Sequence, residues 1–366
     1  MRFLRRTKVP ESAYRRRTSE ARLGEYVVHA PTDRERALGY LDFAEGFLNL
    51  GIYDHALMLA ESGRERLLAH GDDGDMAVAN FLVAGALCGG ARGSSPSDVI
   101  HKRTTADLDD ALALFRLAIS GFRSVGDVTG EARVLLNLAA TYSDPTIWAS
   151  DSDPSTADID EALDYAARAV ALYDELGEPR AALLAVERQV QLTSIHGRST
   201  EHVEFLRCIA SRELALGDRF RCADVWHSMA VAMFNSGRID DAHRWLETAL
   251  AAMWASARED DMPRVAEVAE KLTKLRYQTG VGDPFGPLRW ARRYWAEVGA
   301  IEQVIACEID ANQLCAKFGT EVAAERHSEA VRALDEGYHV TDDHWLTAPW
   351  PSAPRWPDAH DAGSLG

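Results

Sequence analysis

Three histidines and a glutamate carry the side chains best suited to chemistry. His196 and His202 flank Gly197, His227 follows Trp226, and Glu187 precedes His196 on the same run. An imidazole oriented by a carboxylate can act as a general acid or base near neutral pH. Two imidazoles three or four residues apart on one helical face, with a carboxylate nearby, can hold a metal ion. His196 and His202 are spaced too widely for that, and no nucleophile, base and orienting group fall into a recognisable arrangement. The expectation is therefore no catalytic residue, no metal and no cofactor.

The motif search agrees. A phosphate-binding loop needs Gly-Lys followed by Ser or Thr, and the sequence contains no Gly-Lys dipeptide. GxSxG, HExxH and GxGxxG are absent too. Carboxylates cluster in "DLDDA" (107–111), "DIDEA" (158–162) and "REDD" (258–261). The first two open helical runs, where a carboxylate accepts from free backbone N–H groups and meets the positive end of the helix dipole. Capping, not paired acid and base chemistry, accounts for them.

The elements around these residues follow from composition and pattern. With 46% hydrophobic and 27% charged residues over 366 positions, the chain has the make-up of a folded soluble protein with a sizeable core. No stretch reaches the roughly 18 uninterrupted apolar residues of a membrane helix. The basic start "MRFLRRTKVPESAYRRRTSEAR" lacks the apolar segment of a secretory signal, so the expected location is cytoplasmic. Five cysteines without a CxxC pair read as buried thiols.

Charge is unevenly placed. Residues 1–22 hold eight Arg or Lys against two Glu, a balance of +6 in a chain of net −17, which leaves −23 for the remainder. So acidic a body repels phosphate backbones and favours neutral or basic partners. Nucleic acid is expected to meet only the arm, residues 1–30.

A repeat underlies the rest. "HGDD" (70–73), "VGDV" (125–128), "LGEP" (176–179), "LGDR" (216–219) and "VGAI" (298–301) each close a helical run with glycine, the residue that takes a positive φ without strain. The gap from Gly217 to Gly299 is twice the usual step, as if one mark were lost near "ASARED". Between marks, apolar residues recur at three and four: Tyr40, Phe43, Ala44, Phe47 early, and Trp226, Met229, Ala230, Met233 later. Second runs place Ala111, Phe115, Ala118, then Ala162, Ala166, Ala169, then Ala242, Leu246, Ala249 on one face, where small residues let a neighbouring helix approach.

"FRSVGDVTGEARVLLNLAATY" (122–142), together with this punctuation, resembles the tetratricopeptide repeat, in the longer variety of about forty residues found in kinesin light chains and bacterial regulators. The units fall near 37–70, 76–126, 127–177, 178–217, 218–257, 262–299 and 300–336. The resemblance implies an all-α fold, an α-solenoid of stacked antiparallel helix pairs coiled into a right-handed superhelix over 31–338. Loop insertions occupy 89–105 and 143–156, rich in Gly, Ser, Asp and Pro. A Pro- and Trp-containing tail, 339–366, follows; it is expected to cap the last helix or to serve as a docking strip.

In such repeats the first helix of each pair lines a concave face. That register puts Leu41, Glu45 and Asn49, Leu136 and Ala140, Glu187 and Gln191, and His227, Val231 and Asn235 on a partner-binding groove. The lysine that clamps acidic C-termini in chaperone-binding members is missing from this set, and the amide and carboxylate groups suit a neutral or basic peptide. The expected function is a non-catalytic protein- or peptide-binding scaffold, a bacterial regulatory or adaptor protein. Two alternatives stand beside it: a sensor of a signalling peptide or small molecule, and an enzyme with its site between repeats, using His196, His202, Glu187 or His227.

Overall fold

The computed structural model describes residues 30, 32–91, 105–144, 154–317, 321–338 and 340. The basic arm, the tail beyond Val340 and most of both insertions lie outside the described residues. Among the described residues the chain forms fourteen α-helices and one 3₁₀ turn, with no strand. They divide into two compact units that part between Arg198 and Ser199.

The first unit holds α1 (Asp33–Leu50), α2 (Tyr53–His70), α3 (Asp73–Ala91), α4 (Thr105–Ser124), α5 (Val128–Tyr142), α6 (Thr156–Glu175) and α7 (Pro179–Ile195). The second holds α8 (Ser199–Ala215), α9 (Arg219–Asn235), α10 (Ile239–Ser256), α11 (Met262–Thr279), α12 (Phe285–Glu297), α13 (Ile301–Lys317) and α14 (Glu321–Asp335). In each unit every helix packs on the next in chain order, the signature of a helical repeat. Six of the seven expected repeat units each span two helices that pack on one another within a compact unit, and the fourth spans the boundary between the units.

Short local signals make the turns. After α4, Gly126 takes φ 71° and the Asp127 N–H bonds back to the Phe122 carbonyl at 2.9 Å, closing the helix. Asp127 then caps α5, its Oδ1 accepting from the Gly130 N–H at 2.8 Å. Gly217 and Asp218 repeat the device before α9, where the Asp218 carboxylate accepts from Arg221 N–H at 3.0 Å. Gly71 departs from the pattern: its backbone is extended at φ −84°, and it ends α2 without a left-handed residue. Where the glycine mark is missing after α10, Ala257 is extended and a 3₁₀ turn over Glu259–Asp261 leads into α11.

Alanine seams form the core. Ala111, Ala118, Ala162, Ala166, Ala169 and Ala249 are all fully buried, and Trp226, Met229, Ala230 and Met233 line the buried face of α9 as the spacing predicts. At Gly63 and Gly121 even a β-carbon would intrude. It would lie 2.7 Å from Leu41 Cδ2 in the first case and 2.9 Å from the Asp73 carbonyl oxygen in the second. The expected face of α1 is shifted: Tyr40, Phe43 and Phe47 are only half-buried, while Ala37, Leu41 and Ala44 form the buried stripe.

Ionic groups also enter the core of the second unit. Glu308 on α13 is fully buried, accepting from Arg292 Nε on α12 at 3.0 Å and meeting His327 Nδ1 of α14 at 2.6 Å. Arg292 Nη2 also donates to the Val340 carbonyl at 3.2 Å, which ties the chain beyond α14 to α12. Four of the five cysteines are buried, and none of the five is in a disulfide. Burial, with help from nearby carboxylates, pushes the Cys222 thiol up to about 12. No described helix is long and apolar enough to cross a membrane.

Candidate binding surface

Helices joined by turns of a few residues must run antiparallel, so odd-numbered and even-numbered helices fall into two layers. In the first unit α1 reaches α3, α3 reaches α5 and α5 reaches α7, whereas no two even-numbered helices approach as closely among the described residues. The odd layer is therefore the tighter side of this unit. In the second unit side chains join the odd helices. Arg264 of α11 bonds Asp224 of α9 at 2.8 Å, Lys274 of α11 lies 3.6 Å from Asp310 of α13, and Lys317 of α13 sits 3.9 Å from the centre of the Tyr277 ring.

The ten residues expected on the groove are placed unequally. Asn49, Gln191 and Asn235 are exposed, Val231 is 38% exposed, and Leu136, Ala140 and Glu187 are half-buried. Leu41 is fully buried between α1 and α2, because Gly63 lets the α2 backbone close over it. It offers a partner no surface. His227 is likewise buried, at 3% exposure, beneath Arg264 of the neighbouring odd helix. Glu45 is not a free carboxylate: Arg133 of α5 bonds it at 2.6 Å while the guanidinium lies 4.9 Å from the Phe81 ring centre on α3. Gln191 accepts from Arg188 at 2.5 Å and from the Ser143 hydroxyl at 3.4 Å.

Of the candidate bases, His227 is the best defined electrostatically. Burial first, then the charges of Lys271 and Arg264, hold it down to about 4, with Asp224 opposing. It is neutral at pH 7. His196 ends α7 and His202 lies in the first turn of α8. Among the carboxylate clusters, Asp158 completes a capping box with Ser155, accepting from its N–H at 2.8 Å and its hydroxyl at 2.7 Å. Asp261 likewise accepts from the Arg258 N–H at 3.0 Å.

The cations Arg133, Arg264, Lys271 and Lys274 are the residues that sequence reasoning missed on these faces. Arg264, Glu267, Lys271 and Lys274 stand at helical spacing on one side of α11, with Arg264 forty residues after its partner Asp224. That forty-residue step is the repeat length itself, so extending the register of α9 to α11 would have found them.

No protein-family model matches the sequence. Comparison with curated proteins gives no match either. Among solved structures, the chain is similar to a signal transduction ATPase with numerous domains, a protein with a tetratricopeptide repeat sensor from Pyrococcus horikoshii. The TM-score is 0.55 at 11% identity over 83% of this chain. The match spans 42% of that protein's length. A circular tandem repeat protein with novel repeat topology is similar at a TM-score of 0.34 and 15% identity, over 86% of this chain and 85% of the other. The first likeness establishes the fold: the chain is a tetratricopeptide-like helical repeat.

Proposed function

We propose that this protein is a non-catalytic scaffold that binds an extended peptide or a segment of a partner protein on the faces of its odd-numbered helices, in a regulatory or adaptor role within the cytoplasm. The observation that carries the reading is the packing of odd helices on one another in the first unit, whose surface presents Asn49, Glu187 and Gln191, with Val231 and Asn235 exposed on α9 of the second: amide, carboxylate and small apolar groups suited to a peptide. The half-buried and exposed positions of the first unit suit neutral or basic side chains, since Arg133 is engaged with Glu45 and Arg188 with Gln191.

Selection from a random peptide library on the whole chain tests this. Peptides recovered should bind the Glu187→Ala/Gln191→Ala and Val231→Asp/Asn235→Ala variants more weakly, with helicity unchanged. Affinity equal to that of the parent chain in both variants rejects the assignment.

A second reading has one observation behind it: the structural neighbour is described as a protein with a tetratricopeptide repeat sensor. In that reading a bound peptide or small molecule alters the packing of repeats and so informs another protein. Scattering profiles recorded with and without a selected peptide separate the two, since a sensor changes dimensions on binding and a rigid scaffold does not.

A further inference from the structure

Tyr40, Phe43 and Phe47 line a second apolar face of α1, which its neighbours leave half-buried. At about 100° per residue the three stand roughly opposite Glu45 around the helix. Glu45 meets Arg133 of α5, and Leu48 lies 3.7 Å from where a β-carbon on Gly85 of α3 would stand. The aromatic face is therefore turned away from the helices that follow α1 in the stack. α2 reaches it from one edge, with the Arg66 guanidinium 4.8 Å from the Tyr40 ring centre and the His55 ring stacked 5.4 Å from that of Phe47. One turn further along the same face, Leu50 is 69% exposed.

A helical repeat buries each pair against the pair before it, so the first pair needs something else in that place. α1 packs on α2 and α3, and among the described residues no helix precedes it. The chain itself supplies apolar residues at that point. Ala30, which comes just before the Thr32 cap of α1, is buried. Ahead of it stand Leu23, Tyr26, Val27 and Val28, in a stretch, 23–29, whose one carboxylate is Glu25 and which holds neither Lys nor Arg. Residues 1–22 differ: their eight Lys or Arg would set like charge against Arg66. Reach is sufficient, since Asp33 to Phe47 spans about 21 Å at the rise of a helix. Residues 23–29, fully extended, cover about 23 Å.

We infer that residues 23–29 of this chain double back along α1 and cover Tyr40, Phe43 and Phe47, closing the open end of the first unit. The occupant is the chain's own segment and not a second copy, because the buried Ala30 already brings residue 29 to the foot of α1. A segment tethered that closely acts at an effective concentration on the order of millimolar, which a separate copy has to match in solution. Glu45 and Asn49 stand on the far side of α1, so the cover leaves the proposed peptide face open and does not depend on it. It also delivers the basic residues 1–22 to the α1–α2 turn at Gly51 instead of to the start of α1.

The test places a photo-crosslinking side chain in the full chain at either partner, as Phe43→p-benzoylphenylalanine or Tyr26→p-benzoylphenylalanine. The second variant leaves α1 intact, so a folding defect in the first does not end the experiment. Each is irradiated as an equal mixture of unlabelled and isotope-labelled chain, and the crosslinked peptides are identified by mass spectrometry. Position 43 should capture residues 23–29, and position 26 should capture residues 40–47, both in peptides of a single isotopic state that marks a link within one chain. Adding Phe43→Asp to the Tyr26 variant should abolish the capture. Peptides of mixed isotopic state would show the face to be an interface between copies and overturn the inference. Capture by other parts of the chain, capture that survives Phe43→Asp, or no capture in either variant overturns it as well.

Discussion

The two units follow one repeat plan but treat charge on their odd helices differently. In the first, Arg133 links α5 to Glu45 on α1 while lying over Phe81 on α3, so three consecutive odd helices are fastened by one side chain whose charge is neutralised within the protein. In the second, Arg264 and Lys274 of α11 each meet a carboxylate on a neighbouring odd helix, Asp224 on α9 and Asp310 on α13. The same architecture thus fastens its odd helices through one shared guanidinium in the first unit and through separate pairs of neighbours in the second.

The second unit also carries the larger internal electrostatic commitment, and breaking it gives the largest expected effect. Glu308→Ala leaves Arg292 and His327 buried without their carboxylate, a change that costs about 3–5 kcal/mol where a buried pair loses one partner. Of the nine tryptophans only Trp148 precedes Ser199, so tryptophan fluorescence reports on the second unit almost alone. Its urea midpoint should fall sharply in this variant. A midpoint like that of the parent chain would mean the three groups are solvated and not a buried cluster.

His227 sharpens the same contrast through pH. Its ordinary value is 6.5 in the unfolded chain and about 4 in the fold, so between these values the unfolded chain binds a proton that the folded chain refuses. The stability from keeping the ring neutral is thus complete above about 6.5 and is lost as pH falls towards 4, by about 3 kcal/mol at most. Fluorescence-monitored unfolding at pH 7 and pH 4.5 should differ more in the parent chain than in His227→Gln. An identical pH dependence in the two chains would contradict the burial of the ring.

Much of this plan is legible in the residues, and the parts that are not have local causes. Gly-Asp pairs at Gly126–Asp127 and Gly217–Asp218 end one helix and cap the next within two residues, so sequence alone locates those turns. Face assignment is harder. Choosing Tyr40 as the first core position of α1 put Leu41 on the surface, whereas Gly63 on α2, twenty-two residues later, decides that Leu41 is the buried one. The cations of α11 escaped because that helix follows Ala257 and a 3₁₀ turn, with no Gly-Asp mark from which to count. Lys271 becomes visible once the Asp224–Arg264 pair shows that the forty-residue register persists across that turn.

Packing offers a test confined to the first unit. Gly121 on α4 faces Ala77 Cβ at 2.8 Å and the Asp73 carbonyl oxygen at 2.9 Å from where a β-carbon would stand. One of the obstacles is backbone, which cannot rotate away, so Gly121→Val should destabilise by about 1–3 kcal/mol. Helicity measured by circular dichroism should melt earlier while the tryptophan signal of the second unit shifts less. Equal shifts in both signals would show that the units unfold as one.

The smallest expected effect bears most directly on the comparison. Arg133 and Glu45 keep 34% and 16% of their side chains exposed, and a part-exposed pair of this kind contributes at most about 1 kcal/mol. Arg133→Met should therefore barely move the melting curve. It should nevertheless change what the first unit can bind, because Glu45 would then present an unmatched carboxylate. An end-capped peptide carrying one lysine, with binding at the second unit blocked by Val231→Arg, should gain affinity in the Arg133→Met background and lose it again when Glu45→Gln is added. If the double change leaves the gain intact, pairing of Arg133 with Glu45 is not what keeps the first unit's face closed.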